Sequence, residues 1–364
     1  MGRLHDLYAI EGQSPWLDNL KRGWITSGEI QRWVDRGVRG ITSNPAIFQK
    51  AIESGAEYDD EFGQLVAAGT STEDAYWNLV CGDIAEALRI LHPVYEESDG
   101  LDGYVSVEVA PSLARDRAGT EAAARVLDDR IAAPNLYVKI PATAEGIPAV
   151  EQMISEGRSI NVTLIFSLDR YADVIEAYLS GLERHDGDLA SISSVASFFI
   201  SRVDTEVDRR LDEVGTDAAL ALKGKAAVAN GKIAYELFLE RFSGPRWEAL
   251  AARGARKQRP LWASTSTKNA AYPDTLYVDA LIGPDTVNTI PDATLEAFDD
   301  HGTVARTIDV DVDAARSAIA GLADVGVDLA DVTRVLEDEG VAAFSKSFDE
   351  LIDVLQAKSD GFGA

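Results

Sequence analysis

The chain holds a single cysteine, Cys81, among its 364 residues. An internal disulfide is excluded, and a multi-cysteine metal site has no ligands to draw on. Histidine is nearly as scarce. His5, His92, His185 and His301 are scattered and none has a histidine partner at metal-ligand spacing, which argues against a histidine-built zinc centre. No apolar run approaches the roughly 20 residues that a membrane span needs. The segment Met1–Gln13 carries Asp6 and Glu11 and lacks the apolar stretch of a secretory signal. No Walker-type phosphate loop and no G-x-G-x-x-G stretch occurs, so the nucleotide-binding fingerprints are absent. A cytoplasmic protein is expected.

Positive charge is also in short supply, with 34 Lys and Arg against 61 Asp and Glu and a formal net charge of −27. Such a field repels nucleic acid and anionic lipid and favours solubility. A phosphate site in this chain must therefore gather its few cations locally. The plainest reading of the acidity itself is a solvated surface.

What the chain does have is apolar residues, 46% of the total, enough for a large core. Short β-branched runs alternate with longer helical stretches. The runs are Val38–Thr42, Tyr104–Val109, Leu136–Ile140, Ile160–Phe166, Ile192–Ile200, Pro260–Ala263 and Leu276–Ile282, with Pro15–Asp18 as a weaker first candidate. Their continuous hydrophobicity fits strands buried on both faces of a parallel sheet. Helical stretches follow at Ser112–Ile131, Ala144–Glu156, Ser167–Leu182 and Asp204–Phe242, the last broken near Gly215. Eight strands alternating with helices predict an α/β fold of the (β/α)8 barrel kind.

Length alone allows two domains, but a barrel with insertions also fits. With no linker or repeat, the chain is read as one domain over 1–364. A two- or three-helix excursion is expected over about 45–103, after the second strand, and a helical segment over about 303–358. Val341, Phe344, Phe348, Leu351, Ile352 and Leu355 recur at three- and four-residue steps, an amphipathic stripe. It suits packing on its own barrel or on a second copy, so monomer and homodimer both stand. Ser359–Ala364 is expected to fray.

Lys139, in Asn135-Leu-Tyr-Val-Lys-Ile-Pro141, is the most informative residue. A desolvated ammonium within an apolar strand costs several kcal/mol unless it is paired or loses its proton. The free amine is a nucleophile toward carbonyl carbon. Against that stands a lysine that simply pairs or snorkels to the rim. Glu108 and Asp18 repeat the pattern near the ends of two other strands, and charges at several strand ends converge at one barrel mouth. A buried ion pair explains each of them equally well in isolation. Asn44 before Pro45 reads as a turn residue. Asn161 and Thr163, two apart, share a strand face, turned toward a ligand or toward the barrel layer. Arg202, at a strand end before a helix, suits a phosphate. Lys268 and Ser264 sit in a hydroxyl-rich loop. Either cation alone reads equally as surface charge.

Taken together, Gly40-Ile-Thr-Ser-Asn-Pro-Ala46, Leu136-Tyr-Val-Lys-Ile-Pro141 and Ile160-Asn-Val-Thr-Leu-Ile-Phe166 resemble, in order, the signature segments of the transaldolase family. The resemblance runs from about Asp18 to Lys268. It implies a Schiff-base barrel enzyme with no metal and no organic cofactor, acting on sugar phosphates of the pentose phosphate pathway. Lys139 would form the Schiff base. Glu108 would act through a water held with Thr163, and Asp18 would be the base on the substrate hydroxyl. Asn44, Asn161 and Ser197 would hold the dihydroxyacetone portion, Phe199 would line the pocket, and Arg202, Ser264 and Lys268 would hold the phosphate. Two departures stand out. Lys268 occupies the loop where familiar members carry an arginine shortly after the serine, and Ser197-Phe-Phe199 lacks a proline that some members have. A fructose 6-phosphate aldolase shares this chemistry, and a non-catalytic sugar-phosphate-binding barrel shares the scaffold.

Overall fold

The computed structural model describes residues 2–54 and 56–362. Met1, Gly55, Gly363 and Ala364 lie outside the described residues.

Seven strands form one parallel sheet: β1 Gln13–Leu17, β2 Val105–Glu108, β3 Leu136–Pro141, β4 Ile160–Ile165, β5 Ser194–Phe199, β6 Arg259–Ala263 and β7 Thr286–Ile290. Their order is β1-β7-β6-β5-β4-β3-β2. Every residue of every strand is buried, as expected for a sheet covered by helices outside and side chains inside.

The edge strands β1 and β2 meet through the second predicted run, Val38–Thr42. That run is no ladder strand. It contributes isolated bridges from Ile41 to Leu17 and to Val105. Its backbone still bonds both sides: Leu17 N donates to Gly40 O and Thr42 N to Leu17 O, both at 2.9 Å, while Ile41 N donates to Tyr104 O at 2.9 Å. This stave closes the ring as the eighth. Gly40 is required there, because a Cβ would stand 2.4 Å from the Trp16 ring.

The sequence reading misplaced the last strand. Leu276–Ile282 turns as a helix over Leu276–Asp279, and β7 follows it at Thr286–Ile290. Tyr277, Val278, Leu281 and Ile282 are buried at helical spacing. β7 went unrecognised because Thr286, Asn288 and Thr289 make it look polar. Most of its polar groups find partners inside the barrel: Thr286 donates to Gly283 O, and Thr265 donates to Asn288 Oδ1 at 2.8 Å, while Asn288 Nδ2 is buried without a partner.

The 45–103 excursion holds three helices, Pro45–Ser54, Asp59–Ala67 and Thr72–Glu97. The last begins on the Ser71 side chain, which accepts from Asp74 N, a capping arrangement. The region read as two helices around Gly215 contains Ser201–Val214 and Ala226–Arg241, with a short turn Asp217–Leu220 between. The C-terminal segment contains Val312–Asp324 and a long helix, Leu329–Phe362. Of the tail Ser359–Ala364 expected to fray, the residues through Phe362 are helical, and Gly363 and Ala364 lie outside the described residues. Phe344, Phe348, Leu351 and Leu355 of the amphipathic stripe are buried against this chain's own core.

Candidate active site

Parallel strands aim their carboxyl ends at one face, and here that face opens into a cavity of about 540 Å³. Asp18, Asn44, Lys139, Thr163, Ser197, Phe199, Arg202, Ser264 and Lys268 all line it. Glu108 and Asn161 sit just behind the wall, in register with Lys139 on its two neighbouring strands.

Lys139 is 5% exposed and Glu108 7%. Their Nζ and Oε2 atoms are 3.2 Å apart, and Nζ also donates to Ser43 O at 3.4 Å. Glu108 Oε2 nevertheless lacks a well-aligned hydrogen bond, as does the buried Thr163 Oγ1. Burial lifts the Glu108 carboxyl above its ordinary range, and the nearby lysine only partly offsets this. Asp18 is lifted in the same way by burial, against the pull of Lys139, a hydrogen bond from Thr42, and the charges of Lys268 and Arg202. The Thr42 hydroxyl donates to Asp18 Oδ1 at 2.8 Å. Two carboxyls held toward their neutral forms beside one lysine make a proton-transfer centre.

Asn161 does not reach the cavity. Its amide donates to Ser106 Oγ at 3.0 Å and accepts from Ser197 Oγ at 2.7 Å. It therefore fixes Ser197, which does line the wall. Thr163 sits two residues on, where β4 changes register between Val162 and Ile165 and Leu164 adopts a φ of 60°. Asn44 Oδ1 accepts from Ile47 N at 3.0 Å, so it caps the helix Pro45–Ser54 while facing the cavity.

The cations gather at the carboxyl ends of β5 and β6. Arg202 is the second residue of the helix Ser201–Val214. Its guanidinium lies 5.3 Å from the Phe199 ring, and among the described residues it has no carboxylate within ion-pair distance. Burial lowers its pKa. Lys268 is lowered by burial and by the repulsion of Arg202, and its Nζ donates to Ser266 Oγ at 2.6 Å. Ser264 holds a φ of 57°, an uncommon conformation for a residue with a side chain, and shares a 2.9 Å hydrogen bond with Ser201. Backbone strain of this kind concentrates at functional sites. A helix N-terminus, two under-paired cations and three serines together suit an oxyanion.

Sequence reasoning did not single out Thr42, Thr289, Lys50 or Phe344, all of which line the cavity. Thr42 was present in a recognised segment and Phe344 in the amphipathic stripe. Thr289 lies on the unrecognised strand, and Lys50 has no sequence signal.

A family model described as Transaldolase/Fructose-6-phosphate aldolase matches residues 15–355 of this chain. A transaldolase of Parafrankia sp. (strain EAN1pec) is 50% identical over 358 residues, covering 97% of each chain. One of Thermobifida fusca (strain YX) is 51% identical over 347 residues, 94% of each chain. One of Mycolicibacterium smegmatis is 48% identical over 354 residues, 96% of this chain and 95% of its own.

Proposed function

This chain belongs to the transaldolase/fructose-6-phosphate aldolase family, and from that premise we propose how its residues divide the work of moving a three-carbon ketol unit between sugar phosphates. Lys139 attacks the C2 carbonyl of a ketose phosphate, fructose 6-phosphate or sedoheptulose 7-phosphate. Loss of water gives an iminium ion. Glu108, acting through a water also bonded to Thr163, carries the proton that lets the hydroxyl leave. The two buried oxygens without aligned partners, on Glu108 and Thr163, support that placement, since such a water needs at least two polar partners.

The iminium then serves as an electron sink. Asp18, as carboxylate, takes the C4 hydroxyl proton and the C3–C4 bond breaks. The aldose phosphate departs and dihydroxyacetone stays as an enamine on Lys139. An acceptor, glyceraldehyde 3-phosphate or erythrose 4-phosphate, enters and the steps reverse. Ser197, Asn44 and, through Ser197, Asn161 hold the three-carbon portion. Phe199 bounds it. Arg202, Ser264 and Lys268 hold the phosphate, with Lys268 in the role of the loop arginine. The pentose phosphate pathway, a cytoplasmic setting and a single domain over 1–364 complete this reading. Among the described residues no helix is long and apolar enough to cross a membrane.

The observation that carries the proposal is the Lys139–Glu108 pair, 3.2 Å apart and buried at the mouth. Its test is borohydride trapping with fructose 6-phosphate, followed by peptide mapping. A dihydroxyacetone-derived adduct on Lys139 is expected. Turnover without an adduct there would overturn the assignment. Release of dihydroxyacetone as the main product, even with an acceptor present, would favour the aldolase reading.

A further inference from the structure

The last helix, Leu329–Phe362, reaches the barrel mouth, yet none of the roles above belongs to it. Gly340, Phe344 and Phe348 follow at four-residue steps and so share one face. Gly340 lies against the strained turn of β4: a Cβ there would stand 3.0 Å from Leu164 Cδ2 and 3.7 Å from an Arg202 guanidinium nitrogen. Phe348 is held edge-on by Tyr76, with ring centroids 5.4 Å apart, and lies 6.3 Å from the Trp77 ring. Between these two anchors, Phe344 is 7% exposed, lines the cavity and places its ring centroid 5.8 Å from Lys139 Nζ. The helix is pinned on both sides of the one residue that faces the nucleophile.

We infer that Phe344 is a specificity-determining residue that keeps water from the fragment bound to Lys139, and so sets the balance between transfer and release. The inference rests on the Schiff-base reading above. In release, C3 of the enamine takes a proton, which gives the iminium ion. Water then adds at C2, the C–N bond breaks, and dihydroxyacetone leaves with the water oxygen as its ketone. Lys139 departs as its ammonium form. In transfer, C3 instead bonds to the carbonyl carbon of the acceptor. Both fates end in hydrolysis of an iminium at C2, but only release first places a proton on C3, so an apolar ring that keeps water from the bound enamine until an acceptor arrives suppresses release selectively. Phe344 carries no proton to move, and its effect acts on the partition rather than on formation of the adduct.

The test uses the full chain with fructose 6-phosphate and erythrose 4-phosphate, and measures free dihydroxyacetone against transferred product. Phe344→Ala should raise the release-to-transfer ratio about tenfold or more by admitting water, while the borohydride adduct on Lys139 persists. Phe344→Leu, which keeps an apolar side chain, should stay within about threefold of the unsubstituted chain, a partial rescue that loss of packing alone would not produce in a ratio. If the Ala variant does not fold, Phe344→Ser and Phe344→Leu are compared in its place, with the polar variant expected to release more. An unchanged ratio in a folded Ala or Ser variant, or transfer and release falling in equal proportion, overturns the inference and leaves the Lys139 assignment standing. Absence of a Lys139 adduct from an active unsubstituted chain overturns both.

Discussion

The two ends of this barrel both bury charge, and they treat it in opposite ways. At the amino-terminal end, Asp102 is fully buried and saturated. It accepts from Ser14 at 2.8 Å, Trp16 Nε1 at 3.1 Å, Arg39 Nε at 2.8 Å and an Arg259 guanidinium nitrogen at 3.0 Å. Burial pushes its pKa up, but Arg259 and Arg39 outweigh that and hold it below the ordinary carboxylate range. At the carboxyl-terminal mouth, half-buried Asp18 and buried Glu108 also stand beside cations, yet both are lifted. The difference is that two arginines contact Asp102 directly and two further donors reach it, whereas Glu108 contacts one lysine and Asp18 accepts from one hydroxyl. A saturated buried charge is a structural clamp, and an under-satisfied one keeps proton affinity in hand for chemistry.

Substitutions at the two ends should therefore separate activity from stability. The largest effect is expected from Lys139→Met, which should reduce turnover to background and abolish borohydride trapping while the protein stays folded by circular dichroism. Next, Asp18→Asn and Glu108→Gln should each slow turnover about 10²–10⁴-fold, the range typical of acid–base groups. Asp18→Asn should leave urea stability unchanged or higher, because a desolvated carboxyl has been neutralised, whereas Glu108→Gln should lower it by leaving Lys139 buried without its partner. Unchanged turnover in either would remove that residue from the mechanism.

At the other end, Asp102→Ala should cost about 3–5 kcal/mol in urea unfolding, since it strands Arg259 as a buried unpaired charge. The protein that remains folded should keep its kcat. A lost kcat with intact stability would erase the distinction drawn here.

The smallest effect concerns Asp204, on the buried face of the helix that carries Arg202. It accepts from Ala227 N at 2.8 Å and from Tyr277 at 3.0 Å, and burial raises its pKa to about 6. With a folded pKa above the unfolded one, its contribution is present below the unfolded value and lost as pH rises through about 6. At 1.36 kcal/mol per unit the loss is at most about 3 kcal/mol. Asp204→Asn should remove that part of the pH dependence, read as the difference between variant and parent in urea midpoints from pH 4 to 7. Parallel curves would show that Asp204 titrates normally.

Much of the mouth was legible in the sequence because its residues violate the local pattern. A lysine inside Leu136–Pro141 and a glutamate ending Val105–Glu108 stand out against apolar strands. The saturated end was not legible, although its charges are just as buried. Asp102 lies in a loop where charge is unremarkable, and its partners come from segments distant in sequence, Arg39 of the closing stave and Arg259 of β6. β7 escaped for a related reason: its Thr and Asn side chains are inside, and Asn288 and Thr289 find their partners on Thr265 and Thr42, remote in sequence.

By itself the sequence determined the alternation of strands and helices, the barrel it implies and the out-of-place lysine at position 139, because periodicity and a misplaced charge are local properties. Tertiary structure decided what depends on contacts between remote segments. It decided that Asn161 supports Ser197 instead of facing the cavity, and that Arg202 and Lys268 share one wall in a chain of net charge −27. It also decided that the amphipathic stripe of the last helix turns inward on its own barrel. There Phe344 meets Lys139 across more than two hundred residues of chain, a contact that no local pattern records.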